Sequence, residues 1–286
     1  MIYTLTFSPS IDYIINIDTL TIGDINRSKN DKFLPGGKGI NVSIILSKLN
    51  RKSIIMGFLG GFSGNFIKDE LDKLDIENDF INIDGISRIN VKIEGVRETA
   101  INGSSPNINK DDIDKLIIKL NKLKENDVLI ISGNIPDCVS IDVFNNILND
   151  IHKKHVEIII DNKNEILMES LKYQPLLVKP NKEELEETFN VKLDNDEDII
   201  KYAHYLKEQG AKNVIVSLGD KGAILIDNNN HVYKENAKLG KVINTVGAGD
   251  ALVAGFIDEY LRSNDAFKAF KYGINCSNKR IFGEEL

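Results

Sequence analysis

Apolar positions along the chain switch repeatedly between two periods, and that switching predicts the architecture. The stretches "IYTLTF" at 2–7, "SIIMGFL" at 53–59, "DVLIIS" at 127–132 and "VEIIID" at 156–161 are short apolar runs of the kind that form buried strands. Between them residues 38–49 and 64–74 carry helical spacing, as do Ile113, Leu116, Ile117, Leu120 and Leu123, and then Phe144, Ile147, Leu148 and Ile151. Strands and helices alternating in this way predict an α/β fold. Runs as apolar as "VLIIS" suit a mostly parallel sheet covered by helices on both faces.

Two regions interrupt the alternation. Residues 11–34 and 86–104 hold short segments without helical period, including "YIINI", "RINVKIEG" and "RETAIN", divided by Asp, Asn and Gly turn residues. They form either a small second sheet, placed as a lid over the α/β body, or edge strands of the main sheet. No repeat or linker divides the chain, so residues 1–286 are expected to make a single domain with the lid segments inserted in it.

Two glycine turns lead into helices. In "NTVGAGDALVAGF" (244–256), Gly247 and Gly249 free the backbone for close approach to a ligand, and Asp250 falls in the first helical turn. An acidic residue there also stabilises a helix through its dipole, so the motif alone leaves a structural role open. The apolar run behind it implies a deeply buried helix whose polar end opens onto something. In "PGGKGINVS" (35–43), Gly36, Gly37 and Gly39 precede another helical run, with Lys38 in the turn and Asn41 one turn in. Such a turn brings backbone amides and a lysine onto a phosphate or a hydroxyl-rich ligand, or simply connects a strand to a helix. Neither turn has the spacing GxGxxG, and no GxxxxGK[ST] occurs.

Charge narrows the partners. With a formal net charge of −7 the chain is a poor match for nucleic acid or an anionic membrane surface, so an anionic ligand needs a local cluster of cations. Cys138 and Cys276 are too few for a disulfide framework or a zinc site, and a reduced, cytoplasmic setting is expected. No stretch approaches the ~20 apolar residues of a membrane span. The four histidines lie outside the glycine turns; His152 and His155 follow a helix, beside Lys153 and Lys154.

The segments "FSPSIDY", "PGGKGINVS", "GFLGGFSG", "SRINVKI", "KPNKEELEE", "VSLGDKGA" and "NTVGAGDALVAGF" stand in the order and spacing of the ribokinase-like sugar kinases, and the chain resembles their bacterial phosphosugar branch over nearly its whole length. The resemblance implies a three-layer α/β/α domain with a small β-sheet lid. It also implies ATP-dependent phosphorylation of fructose 1-phosphate at its 6-hydroxyl, with tagatose 6-phosphate or fructose 6-phosphate as alternative substrates. By position it makes Asp250 the general base and Gly247, Ala248 and Gly249 an anion hole. It assigns Asp12, Gly37, Lys38 and Asn41 to the sugar, and Arg27 and Arg88 to its phosphate. Lys179, Asn181, Ser217, Gly219 and Gly222 fall on the ATP side, and Glu184 organises Mg²⁺, most simply through water. Pairing of two copies through the lid is a further expectation. A catalytically impaired sugar-phosphate binding protein is the reading from a different class.

Several positions depart from the family pattern. Ser8 and Ser10 stand where Asn and Ala are common, Asn134 where Ser is usual, and "IDNKNE" replaces a segment rich in small hydroxyl residues. "YGINCSNKRIFGEEL" is atypical of the family's C-terminal segment, so either weak ATP binding at the adenine side or a truncated chain is expected.

Overall fold

The structure, a computed structural model, describes residues 1–240 and 242–286. Strand β1 (Ile2–Thr6) lies inside the main sheet, and the chain leaves it at once for the lid hairpin of β2 (Ser10–Asn16) and β3 (Asn30–Gly36). One wing follows through α1 (Lys38–Lys48), β4 (Ser53–Gly60), α2 (Gly61–Lys73) and β5 (Ile81–Ile83). The lid is then completed by β6 (Arg88–Glu94) and β7 (Thr99–Ile101). The other wing runs through α3 (Lys110–Leu120), β8 (Val128–Ser132), α4 (Ile141–Lys153), β9 (Glu157–Asp161), α5 (Asn164–Ser170) and β10 (Leu177–Val178). It continues with α6 (Lys182–Phe189), α7 (Asp196–Glu208), β11 (Val214–Ser217), β12 (Ala223–Ile226) and β13 (Val232–Glu235). Helices α8 (Ala248–Ser263) and α9 (Ala266–Phe282) follow.

The nine-stranded sheet has the order β13-β12-β11-β10-β9-β8-β1-β4-β5, parallel except for its last two pairings at the β13 edge. Because β1 pairs with both β4 and β8, the chain winds outward from it in two directions. Such a switch point opens a crevice beyond the carboxyl ends of the strands, where ligands of open α/β sheets bind. The lid is a separate mixed sheet, β3-β2-β6-β7, in which β2 and β6 run parallel. That settles the open alternative: the interrupted segments do not extend the main sheet.

Alternation along each strand divides the core into two layers. Ile2, Val128, Ile130 and Ile159 face one way, against Val42 and Leu46 of α1, Phe256 of α8 and Phe270 of α9. Leu5, Leu129, Ile131, Ile158 and Ile160 face the other, against Leu116, Phe144 and Ala203 of α3, α4 and α7. Helix α8 is buried continuously from Asp250 to Asp258, because α1, α9 and the sheet surround it. The helix expected to run to Leu123 ends at Leu120, and Leu123 stays buried in the turn that follows, its N–H donating to the Leu120 carbonyl. Among the described residues no helix is long and apolar enough to cross a membrane.

Close approach of α8 and α9 depends on glycine. A Cβ at Gly273 would lie 2.6 Å from the Leu252 carbonyl oxygen, and one at Gly255 would lie 2.8 Å from Cys276 Sγ. Helix propensity favours Ala over Gly by about 1 kcal/mol, but overpacking a tight helix contact costs about 1–3 kcal/mol. The contact should win. Gly273→Ala is expected to lower the melting temperature by about 2–6 °C, and a variant that melts at or above the parent temperature would show that the helices part freely.

Candidate active site

A cleft of about 870 Å³ lies beyond the carboxyl ends of the strands, between the lid and the N-termini of α1 and α8. A depression of similar size, about 850 Å³, sits on the opposite side around Arg51, Lys68, Asp72 and Glu77, away from those helix N-termini.

The lid end of the cleft is built by strand alternation. Register pairs Ser10 with Arg88, Asp12 with Asn90, and Ile14 with Lys92, so Ser10, Asp12, Arg88, Asn90 and Lys92 share the cleft face. The Asp12 carboxylate accepts from Ser10 Oγ at 3.0 Å, Asn90 Nδ2 at 3.0 Å and Lys92 Nζ at 2.5 Å. Gly36 makes room for it: a Cβ there would fall 2.6 Å from the carboxylate. Arg88 donates through Nε to the Ser8 carbonyl at 3.1 Å, and among the described residues no carboxylate forms an ion pair with it. Burial lowers the Arg88 pKa, with Asp12 opposing. Arg27 lies elsewhere. The segment between β2 and β3 leaves the sheet, and Arg27 is exposed on it, outside the cleft lining.

At the middle of the cleft two helices begin. Gly37 caps α1 at φ 118° and Gly247 caps α8 at φ 80°, conformations that glycine adopts without strain. Asp250, in the first turn of α8, is 5% exposed and accepts from Asn41 Nδ2 at 2.8 Å. Lys38 reaches Asp161 at 3.3 Å and Glu184 at 3.6 Å, while Lys179 reaches the same Asp161 oxygen at 3.1 Å. Gly249 packs against Lys179, whose Nζ would be 3.3 Å from a Cβ at that position.

These charges set one another. Burial and then the negative charge of Asp161 push Asp250 up to about 6, against Asn41, Lys38 and Lys179, which pull it down. Burial disfavours the Lys38 ammonium, but Asp161, Glu184 and Asp250 outweigh it and raise its pKa. Burial likewise opposes the Asp161 carboxylate, and Lys179 and Lys38 hold it ionised.

The far end is lined by Ser217, Gly219 and Gly222, by Asn181 and Glu184, and by Ile274, Ser277, Asn278, Ile281 and Phe282 of α9. Gly222, at φ 90°, lets the β11–β12 turn close on the β13 end: a Cβ there would lie 1.9 Å from the Glu235 carbonyl oxygen. Asn181 and Glu184 form a capping box, Asn181 Oδ1 accepting from the Glu184 N–H and Glu184 Oε2 from the Asn181 N–H. Helix α9 is capped by Asp265 and ends at Gly283, so the atypical segment still forms a regular helix against the cleft.

The pfkB carbohydrate kinase family model matches residues 5–282. The chain belongs to that family. It is 38% identical over 286 residues to the 1-phosphofructokinase of Bacillus subtilis, covering 100% of this chain and 94% of that one. To the D-tagatose-1-phosphate kinase of Bacillus licheniformis it is 36% identical over 287 aligned positions, with the same coverage. Phosphofructokinase-2 of Escherichia coli, solved with substrates and products, superposes with a TM-score of 0.93 at 25% identity, covering 98% of this chain and 93% of that one. As a pfkB-family sugar kinase the protein is an ATP-dependent phosphotransferase.

Apart from Arg27, every residue that the family resemblance assigned to the site lines this cleft. Sequence reasoning passed over Asp161, Asn90 and Lys92. The period-2 spacing of Arg88, Asn90 and Lys92 was the available signal for the lid pair, and for Asp161 a carboxylate ending an apolar strand.

With Asp250 as the base, the role the family resemblance implies, kinase activity should fall as pH drops through about 6, the value to which Asp250 is raised, because a base must be ionised to accept a proton. Asn41→Leu removes a hydrogen bond that favours the ionised form, and the acid limb of kcat/KM should move upward; an unmoved limb would assign it to another group. The sign for stability is opposite. A carboxyl raised from 3.8 to about 6 costs the fold stability once pH exceeds that window. Asp250→Asn should therefore stabilise the protein at pH 7.5 by on the order of 2 kcal/mol, and by much less at pH 4, as read by thermal melts.

Proposed function

We propose that the protein transfers the γ-phosphoryl group of ATP to the 6-hydroxyl of fructose 1-phosphate. The observation that carries this reading is the position of Asp250: a buried carboxylate at a glycine-capped helix N-terminus, between a cationic lid end and a glycine-lined far end of one cleft. Arg88, which forms no ion pair among the described residues, takes the sugar phosphate with Lys92 beside it, and Asp12 and Asn41 face the sugar hydroxyls. Asp250 accepts the hydroxyl proton as the new oxygen–phosphorus bond forms and the bond to ADP breaks. The amides of Gly247, Ala248 and Gly249 and the α8 dipole stabilise the charge on the phosphoryl oxygens, with Lys38 and Lys179 adding positive charge. ATP lies along Lys179, Asn181, Ser217, Gly219 and Gly222.

Magnesium fits this site indirectly. Among the described residues no group of three acidic or histidine side chains converges on a cation site, and Glu184 presents only Oε1 beyond its capping box. That suits an ion that keeps most of its waters and binds phosphate oxygens, with Glu184 holding a water. When bound, magnesium neutralises charge on the phosphates.

ATP consumption measured separately with fructose 1-phosphate, tagatose 1-phosphate, tagatose 6-phosphate and fructose 6-phosphate tests the substrate. Fructose 1-phosphate should give the highest kcat/KM, with Asp250→Asn lowering kcat by roughly 10²–10⁴. Arg88→Ala should raise the KM for the phosphosugar about 10-fold or more while leaving that for ATP near its parent value. Preference for another of the four sugars would keep the mechanism and replace the substrate. Absence of turnover with all four would favour a binding protein.

Two copies pair through the lid in this reading. Phe33, Leu34 and Ile101 are exposed there, at 47%, 39% and 58%, an apolar set that pairing would cover. Sedimentation should give a dimer that Ile101→Lys weakens; a monomer at all concentrations would rule the pairing out.

A further inference from the structure

Beneath the cleft floor, three buried side-chain oxygens have no hydrogen-bond partner within the described chain: Thr6 Oγ1, Ser132 Oγ and Asp161 Oδ2. Their residues are 2%, 2% and 1% exposed. They end three adjacent strands. Ser132 pairs with Asp161 across β8 and β9, and Thr6 comes one residue after the Leu5–Ile131 pair of β1 and β8. All three side chains point to the same face, under the first turn of α1. A Cβ on Gly39 would lie 2.2 Å from Thr6 Oγ1 and 3.5 Å from Ser132 Oγ, and Asp161 bonds Lys38 of the same turn.

Two residues lower on this face the hydroxyls satisfy one another. Thr4 Oγ1 and Ser53 Oγ each lie 2.9 Å from Ser43 Oγ. The upper row has no such direct pairing, and burying hydroxyls and a carboxylate oxygen without partners is unfavourable. Groups of this kind are normally served by ordered water. The shared neighbour at Gly39 places the two hydroxyl oxygens no more than about 6 Å apart, the span of two hydrogen bonds through one water.

We infer that Thr6, Ser132 and Asp161 Oδ2 hold one ordered water at the sheet's switch point, and that Thr6 and Ser132 are thereby positioning residues for the Lys38–Asp161–Lys179 array. The water donates one hydrogen to Asp161 Oδ2 and the other to one hydroxyl, and accepts from the second hydroxyl. Asp161 Oδ1 is already shared by two lysines. A bond on Oδ2 fixes the rotation of the carboxylate, and with it the place of both ammonium groups beside Asp250. Neither Thr6 nor Ser132 lines the cleft, so neither is placed to touch substrate.

Two measurements test this, the second resting on the kinase reading above and the first independent of it. A crystal structure of the parent chain at about 1.8 Å or better should show a solvent peak within hydrogen-bond distance of all three oxygens. Density without that peak, or hydroxyls rotated onto protein acceptors, would overturn the inference even if the substrate assignment held. In kinetics, Thr6→Val and Ser132→Ala should each lower kcat about 3- to 30-fold through misplacement of the array. The phosphosugar KM should stay within about two-fold, and Thr6→Ser should restore kcat, because it returns the hydroxyl without the methyl group. A role confined to packing would instead lower the melting temperature and leave kcat unchanged, and that outcome would also sink the inference.

Discussion

One oxygen of Asp161 holds two lysines, and the rest of the site is arranged around that shared contact. Five ionisable groups, Asp161, Asp250, Glu184, Lys38 and Lys179, meet at the base of the cleft, and Asp161, Asp250 and Lys179 are each 5% exposed or less. Charges so poorly hydrated persist only when each is neutralised by a neighbour. Asp161 is held ionised by the two lysines, and Lys38 is held charged by Asp161 and Glu184. Asp250 is the odd member: it has a neutral amide partner, Asn41, rather than a cation of its own. Its carboxyl therefore holds a proton more tightly than usual, with its pKa raised to about 6.

The fold supplies this cluster with ends of elements rather than middles. Asp161 and Ser132 end strands, Lys179 directly follows one, and Lys38 and Asp250 sit in the first turns of helices. At strand ends a side chain can face both the core below and the crevice above. At helix N-termini, unpaired amides face the same crevice and favour negative charge there. The switch at β1 brings α1 and α8 together at that point, since both helices pack on one face of the sheet while the chain winds outward in two directions. The lid contributes further charge from a separate sheet, which sets Arg88 and Lys92 on the cleft face without burying cations in the main core.

The parts legible in the sequence were those in which one residue's chemistry depends on its neighbours in the chain. Apolar runs gave the parallel strands, and the glycine turns marked both helix N-termini with Asp250 and Lys38 in place. The family resemblance, carried by whole motifs, supplied the lid and the sugar kinase reading, which the family model and the full-length relatives bear out. Less legible were features set by contacts distant in sequence. Lys92 meets Asp12 across 80 positions, and Asp161 meets Lys38 across 123. Arg27 shows the converse: nothing local tells that it stands exposed on the segment between β2 and β3, outside the cleft lining.

The same distinction explains why the atypical segment after α8 still forms a regular helix. What α9 must supply is set by packing: a narrow face at Gly273 and Cys276 for α8, and an apolar edge at Ile274, Ile281 and Phe282 for the cleft. Ala266, Ala269, Phe270 and Asn278 are buried as well, and the other positions of the helix face solvent or are half-buried. Arg280 adds a tie of its own, donating from Nε to the Val246 carbonyl at 3.1 Å, immediately before the Gly247 cap. The Ile243 and Asn244 amides both donate to the Ile281 carbonyl. Helix α9 thus holds the turn that begins α8 from behind, and any anion bound by the Gly247–Gly249 amides rests on a turn braced by α9 as well as by its own helix.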